Sequence, residues 1–142
     1  MVKDWGELTG NGITCMTGDD LRNMLYITNS LGQLIEIDQR RKCFERTSYD
    51  LHEEMVKTIA VTPNGKIMFT GDCHGHLKQW QVKDMVCLKD FGHVHTSVIC
   101  LMKITADGGY LFTVDTKGYV IQWKIVSTPA DSTTTSNCIF IN

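Results

Sequence analysis

The sequence carries no excess of positive charge, no long apolar run, no glycine-rich phosphate loop and no paired-cysteine spacing. Each absence removes a class of function. With 14 Lys and Arg against 16 Asp and Glu, the formal net charge is −2. The chain therefore lacks the basic footprint that neutralises a phosphate backbone, and nucleic acid is not an expected partner. No apolar stretch approaches the roughly 20 residues of a membrane span, so no membrane partner is expected either. The opening MVKDWGELTG lacks the apolar centre of a secretory signal, and the expectation is a protein that stays in the cytoplasm. There, six cysteines read as reduced, mostly buried thiols rather than as a disulfide framework. The segment GDDLRN has no nucleotide-binding context, and no cofactor is implied.

What is present is repetition. Gly75-His76-Leu77-Lys78-Gln79-Trp80 is rewritten 43 residues later as Gly118-Tyr119-Val120-Ile121-Gln122-Trp123, and 43 residues earlier as Gly32-Gln33-Leu34-Ile35-Glu36-Ile37. Aligned without a gap, the copies place Ile13, Val56 and Ile99 in one apolar column and Met16, Ile59 and Met102 in another, both assigned to a first strand and the methionines to the core. Asn64-Gly65 and Asp107-Gly108 are hairpin-turn pairs. The second strands, at 24–27, 67–70 and 110–113, are nearly continuous in apolar residues, as suits a strand covered on both faces. A short polar loop leads to the glycine and the third strand, and weaker fourth strands are expected at 42–46 and 86–90. A period of this length made of short apolar runs marks an array whose units hide their faces by stacking on neighbours. The 142 residues hold three such units, within residues 1–129.

The phase of the repeat is displaced by one strand. Asp4-Trp5-Gly6 is in register with Asp90-Phe91-Gly92, so residues 1–9 read as a fourth strand with no first three before it. The last copy (99–126) meets Pro129 where its own fourth strand should begin. Residues 130–142 are a Ser/Thr-rich spacer with an apolar end, either a flexible tail or a source of the missing strand.

A histidine, a turn with Asn/Asp-Gly, a threonine before a polar loop, and glycine and tryptophan five apart together resemble the WD-repeat β-propeller family. The resemblance covers residues 1–129. It implies an all-β fold of four-stranded antiparallel blades, three in this chain, and a blade network carried by His52, Thr70 and Trp80 and again by His95, Thr113 and Trp123. The family's Asp before the glycine is replaced by Leu31, His74 and Lys117, which leaves Asp72 and Asp115 as the acceptors for the histidines. The first copy, with Thr9, Ile27 and Ile37, lacks the polar set. Propellers close rings of about four to eight blades, so three blades leave raw faces. Strand Val2, Lys3, Asp4 and Trp5 is expected to complete the third blade of another copy, closing a head-to-tail ring: a dimer of six blades first, a trimer of nine second. The competing expectation is a segment of a longer propeller.

The resemblance further implies a non-enzymatic platform for a protein or peptide partner, with recognition in the loops that carry Tyr49, Asp50, Glu53, Asp72, His74, His93, Asp115 and Lys117. The alternative is a metal-binding or redox-sensing protein built on Cys73, His74 and His76, with His93 and His95 on the same side. Their spacing fits no standard zinc pattern, so no metal is expected. Nucleophilic catalysis is disfavoured because Asp72, Cys73 and His74 are adjacent in sequence, and adjacent side chains point apart. Asp50, Glu53 and Glu54 lack calcium-loop spacing and read as a solvated patch. The tryptophans sit at blade positions and are structural.

Overall fold

The computed structural model describes residues 10–40, 47–126 and 137–141. Twelve strands form three antiparallel sheets of four, each in sequence order. The first blade holds β1 (Ile13–Asp19), β2 (Met24–Asn29), β3 (Gln33–Asp38) and β4 (Thr47–Asp50). The second holds β5 (Val56–Val61), β6 (Ile67–Asp72), β7 (His76–Gln81) and β8 (Val86–His93). The third holds β9 (Ile99–Ile104), β10 (Tyr110–Asp115), β11 (Val120–Val126) and β12 (Asn137–Ile141). The first strands lie side by side, β1 against β5 and β5 against β9, so the sheets radiate from a shared inner edge. Four-stranded sheets arranged this way are the blades of a β-propeller.

Each blade is built on the same local devices. Its first strand carries a bulge near its start, between Ile13 and Cys15, between Val56 and Thr58, and after Ile99, where the partner register shifts between Val114 and Asp115. Beside each bulge one backbone bond ties the loop after the second strand to the segment before the first: Ser30 to Gly12 at 2.9 Å, Cys73 to Met55 at 3.0 Å, Thr116 to Val98 at 3.0 Å. Turn glycines Gly65 and Gly108 adopt positive φ, a conformation cheap only without a Cβ.

Two cores lie between the sheets. Tyr26 and Leu34 of the first blade pack with Val56, Ile59, Met68 and Trp80 of the second, and Phe69 and Leu77 of the second pack with Ile99, Leu111 and Trp123 of the third. Strand β6, between both, is buried along its whole length, as its continuous apolarity predicts. Strand β10, with the same kind of sequence, is buried only at alternate residues, since among the described residues no blade packs on its other face.

Two expectations need correction, and two others fall outside the described residues. Strand β4, Thr47–Asp50, is the fourth strand of the first blade, and the expected 42–46 lies outside the described residues. The third blade is not left with three strands: β12 pairs antiparallel with β11, Trp123 opposite Phe140, so the slot reserved for another copy's opening strand is filled from the same chain. The physical reason is an unpaired β11 edge within reach of an apolar tail, which satisfies its backbone groups. Val2, Lys3, Asp4 and Trp5 lie outside the described residues. Finally, Met16 is exposed rather than core, since among the described residues no sheet covers that side of β1.

Candidate functional site

In the second blade the loop from β6 to β7 is organised by the Asp72 carboxylate. Its Oδ1 accepts the backbone N–H of His74 and of His76, both at 2.9 Å, and its Oδ2 accepts Nδ1–H of His52 at 3.1 Å. The other ring nitrogen of His52 lies 2.6 Å from the Thr70 hydroxyl, which accepts the Trp80 indole N–H at 2.8 Å. The indole can only donate and the carboxylate only accept, and burial, which lowers His52, favours the neutral ring with its Nδ1–H on Asp72 and its Nε2 accepting from Thr70. The third blade repeats the set: His95 to Asp115 at 2.9 Å, His95 to Thr113 at 2.8 Å, Trp123 to Thr113 at 3.1 Å, and Lys117 and Tyr119 N–H on Asp115. The first blade keeps only the turn, where Asn29 accepts the N–H of Leu31 and Gln33. Ile27 and Ile37 stand at the threonine and tryptophan positions and join Ile35 in an apolar cluster. Asn29 opens the polar loop of the first copy and shares a column with Asp72 and Asp115.

Burial alone would push the Asp72 carboxyl up, but the His52 bond and the two backbone N–H groups outweigh it and hold it at about 2. Asp115 is likewise below the ordinary range, against its own burial, through Tyr119, His95 and Lys117. Burial lowers His52, more than Asp72 raises it. Thr70, His52 and Asp72 thus have the order of a hydroxyl–imidazole–carboxylate relay. Thr70 is fully buried and already bonded to the Trp80 indole, so its oxygen meets no substrate.

Above each network opens a pocket at the edge of the sheets, and the two pockets are related by the repeat. The first, about 390 Å³, is lined by Glu53, Glu54, His74, His76, Asp90 and His93 over His52 and Asp72. The second, about 320 Å³, has Thr96, Lys117, Tyr119, Val120 and Ile121 over His95 and Asp115. One scaffold therefore presents a histidine-rich, acidic surface at one repeat and a mostly apolar one at the next. Within the first, His76 Nε2 contacts Asp90, whose carboxyl is also bonded to Gly92 N–H at 2.8 Å. Burial acts upward on Asp90 but these bonds hold it below its usual value. His93 donates Nδ1–H to the His74 carbonyl at 3.1 Å.

The expected recognition residues separate accordingly. Glu53, Asp72, His74 and His93 meet at the first pocket, Asp115 and Lys117 at the second. Tyr49 lies on β4 and packs against the core between the first two blades, and exposed Asp50 accepts the Gln33 amide at 3.2 Å. Cys73, His74 and His76 do not converge as one ligand set: His76 groups with His52 and Asp72, whereas Cys73 and His74 group with Glu54.

No family model matches the sequence, and no curated protein matches it. Among solved structures, the crystal structure of the WD40 repeats of RRP9 is similar, with a TM-score of 0.74 at 15% identity over 82% of this chain. That match spans 36% of the RRP9 chain. The likeness establishes a WD40-like propeller fold.

Proposed function

We propose that this chain is a non-catalytic interaction scaffold: a three-blade arc that associates with a second copy to extend its ring, and presents its inter-blade pockets to a protein or peptide. The observation that carries the reading is the state of the two ends. Val120 stands at the repeat position of Leu34 and Leu77; those two are 0% exposed because the next blade covers them, whereas Val120 is 60% exposed. At the other end Ile13 is 55% exposed, and its counterparts Val56 and Ile99 are 0%. Each end therefore offers the apolar face that the interior repeats use for stacking, and trailing face meets leading face in head-to-tail assembly.

Because β12 occupies the outer edge of the third blade, the contact between copies is sheet on sheet rather than exchange of a strand. A dimer of six blades is the first form and a trimer of nine the second. The relay-like His52 and His95 sets are spent on holding blades together, which supports a platform rather than an enzyme.

A photo-crosslinking residue placed at Val120 tests this. The expected product is a covalent dimer whose linked peptide maps near Ile13 and Met16 of the other copy. Crosslinks confined to the same chain would remove the proposal.

A further inference from the structure

The geometry points to a site for a single thiophilic divalent ion of the zinc class, held by Glu54, Cys73 and His74 at the rim of the first pocket. It is independent of ring closure. A thiolate, an imidazole nitrogen and a carboxylate oxygen from these residues all lie within 4.8 Å of one another. Zinc bonds of about 2.0–2.3 Å place tetrahedral ligands about 3.3–3.8 Å apart. The His74 Nε2 to Glu54 Oε2 separation is already 3.6 Å. Glu54 and His74 are exposed and Cys73 is partly buried, so the gap that remains falls to side-chain rotation to close.

The backbone beneath is fixed. The Cys73 N–H to Met55 carbonyl bond pins the loop beside Glu54, and the same bond recurs in every blade. The His74 N–H is held by Asp72 and the His74 carbonyl by His93, so the loop is fastened on both sides. What does not recur is the chemistry. The corresponding residues are Asn11, Ser30 and Leu31 in the first copy and Ser97, Thr116 and Lys117 in the third. A blade therefore does not need Glu, Cys and His here, and the scaffold brings them together in one repeat alone. Soft thiolate with imidazole selects zinc-like ions over magnesium or calcium. Three protein donors leave a fourth position for water or for a partner's side chain. On binding, the Cys73 thiol proton passes to solvent and the thiolate enters the coordination shell.

Cobalt(II) added to the full chain is the probe. The expected result is one ion per chain, with a thiolate-to-cobalt charge-transfer band in the near ultraviolet that zinc abolishes by displacement. Cys73→Ser removes the band while the fold persists by circular dichroism, since hydroxyl residues occupy that position in the other two blades. Glu54→Gln weakens binding by about ten-fold or more, and Cys100→Ser leaves it unchanged. A folded protein that develops no band, a band that survives Cys73→Ser, or one indifferent to Glu54→Gln would each overturn the site.

Discussion

Asp72 accepts three hydrogen bonds and has almost no contact with water, and its charge is what keeps the β6–β7 loop in one shape. Two consequences are measurable. Replacing Thr70 by Val leaves His52 Nε2 and the Trp80 indole without partners, at a cost of about 1–3 kcal/mol for each buried group. Chemical denaturation should show that loss, and a wild-type midpoint would contradict it. The second concerns pH. In the unfolded chain His52 takes up its proton near 6.5, but in the fold burial delays this to lower pH, so the unfolded state binds more protons in between and stability falls as pH drops below about 6.5. Asp72 adds a second loss, from its unfolded value of 3.8 down to about 2. Urea midpoints between pH 7 and pH 3 should decline throughout, and His52→Gln should flatten the upper part. Stability that rises on acidification to pH 5 would be the opposite sign. The histidine, threonine and tryptophan of this network were legible because they recur at one interval. The partnership of Cys73 and His74 with Glu54 was not, because Glu54 lies 19 residues upstream and only the Cys73–Met55 backbone bond brings it near.

Among elements, the tight turn before each third strand depends on a glycine with positive φ, 76° at Gly32, 83° at Gly75 and 89° at Gly118. At Gly75 a Cβ would land in the carbonyl of His95, because that carbonyl belongs to the segment crossing to the next blade. At Gly118 it would meet nothing within 4 Å. Gly118→Ala should therefore cost only the backbone strain of about 1–2 kcal/mol, and Gly75→Ala about 1 kcal/mol or more beyond that. Both costs refer to the dissociated single chain, measured by thermal denaturation at low concentration; equal losses there would contradict the open turn at Gly118. Strand β12 makes another element-level prediction. Truncation after residue 136 should abolish slow amide exchange on the outer edge of β11 and leave β10 protected by β9. Alternation and turn signals place ten of the strands near their observed positions; the segment expected as the fourth strand of the first blade lies outside the described residues, and the twelfth stays between two readings, since an apolar end after a Ser/Thr-rich spacer fits a loose tail as well as an edge strand.

At the scale of the molecule, the three blades described form an arc, and the matched region is 36% of the RRP9 chain. Apolar residues exposed at both ends, Ile13 and Met16 leading and Leu101 and Val120 trailing, occupy columns that are mostly covered inside the arc. Exposed faces of this kind mark association surfaces. The repeat period makes these end faces legible in the sequence, whereas the course of the tail is not, and it is the β11–β12 pairing that places it. The most direct measurement is the mass of the chain in solution, by light scattering at several concentrations. The account predicts a multiple of 16.0 kDa, twofold first, falling to the single chain when Val120 is replaced by Arg. A folded single chain at every concentration would contradict it.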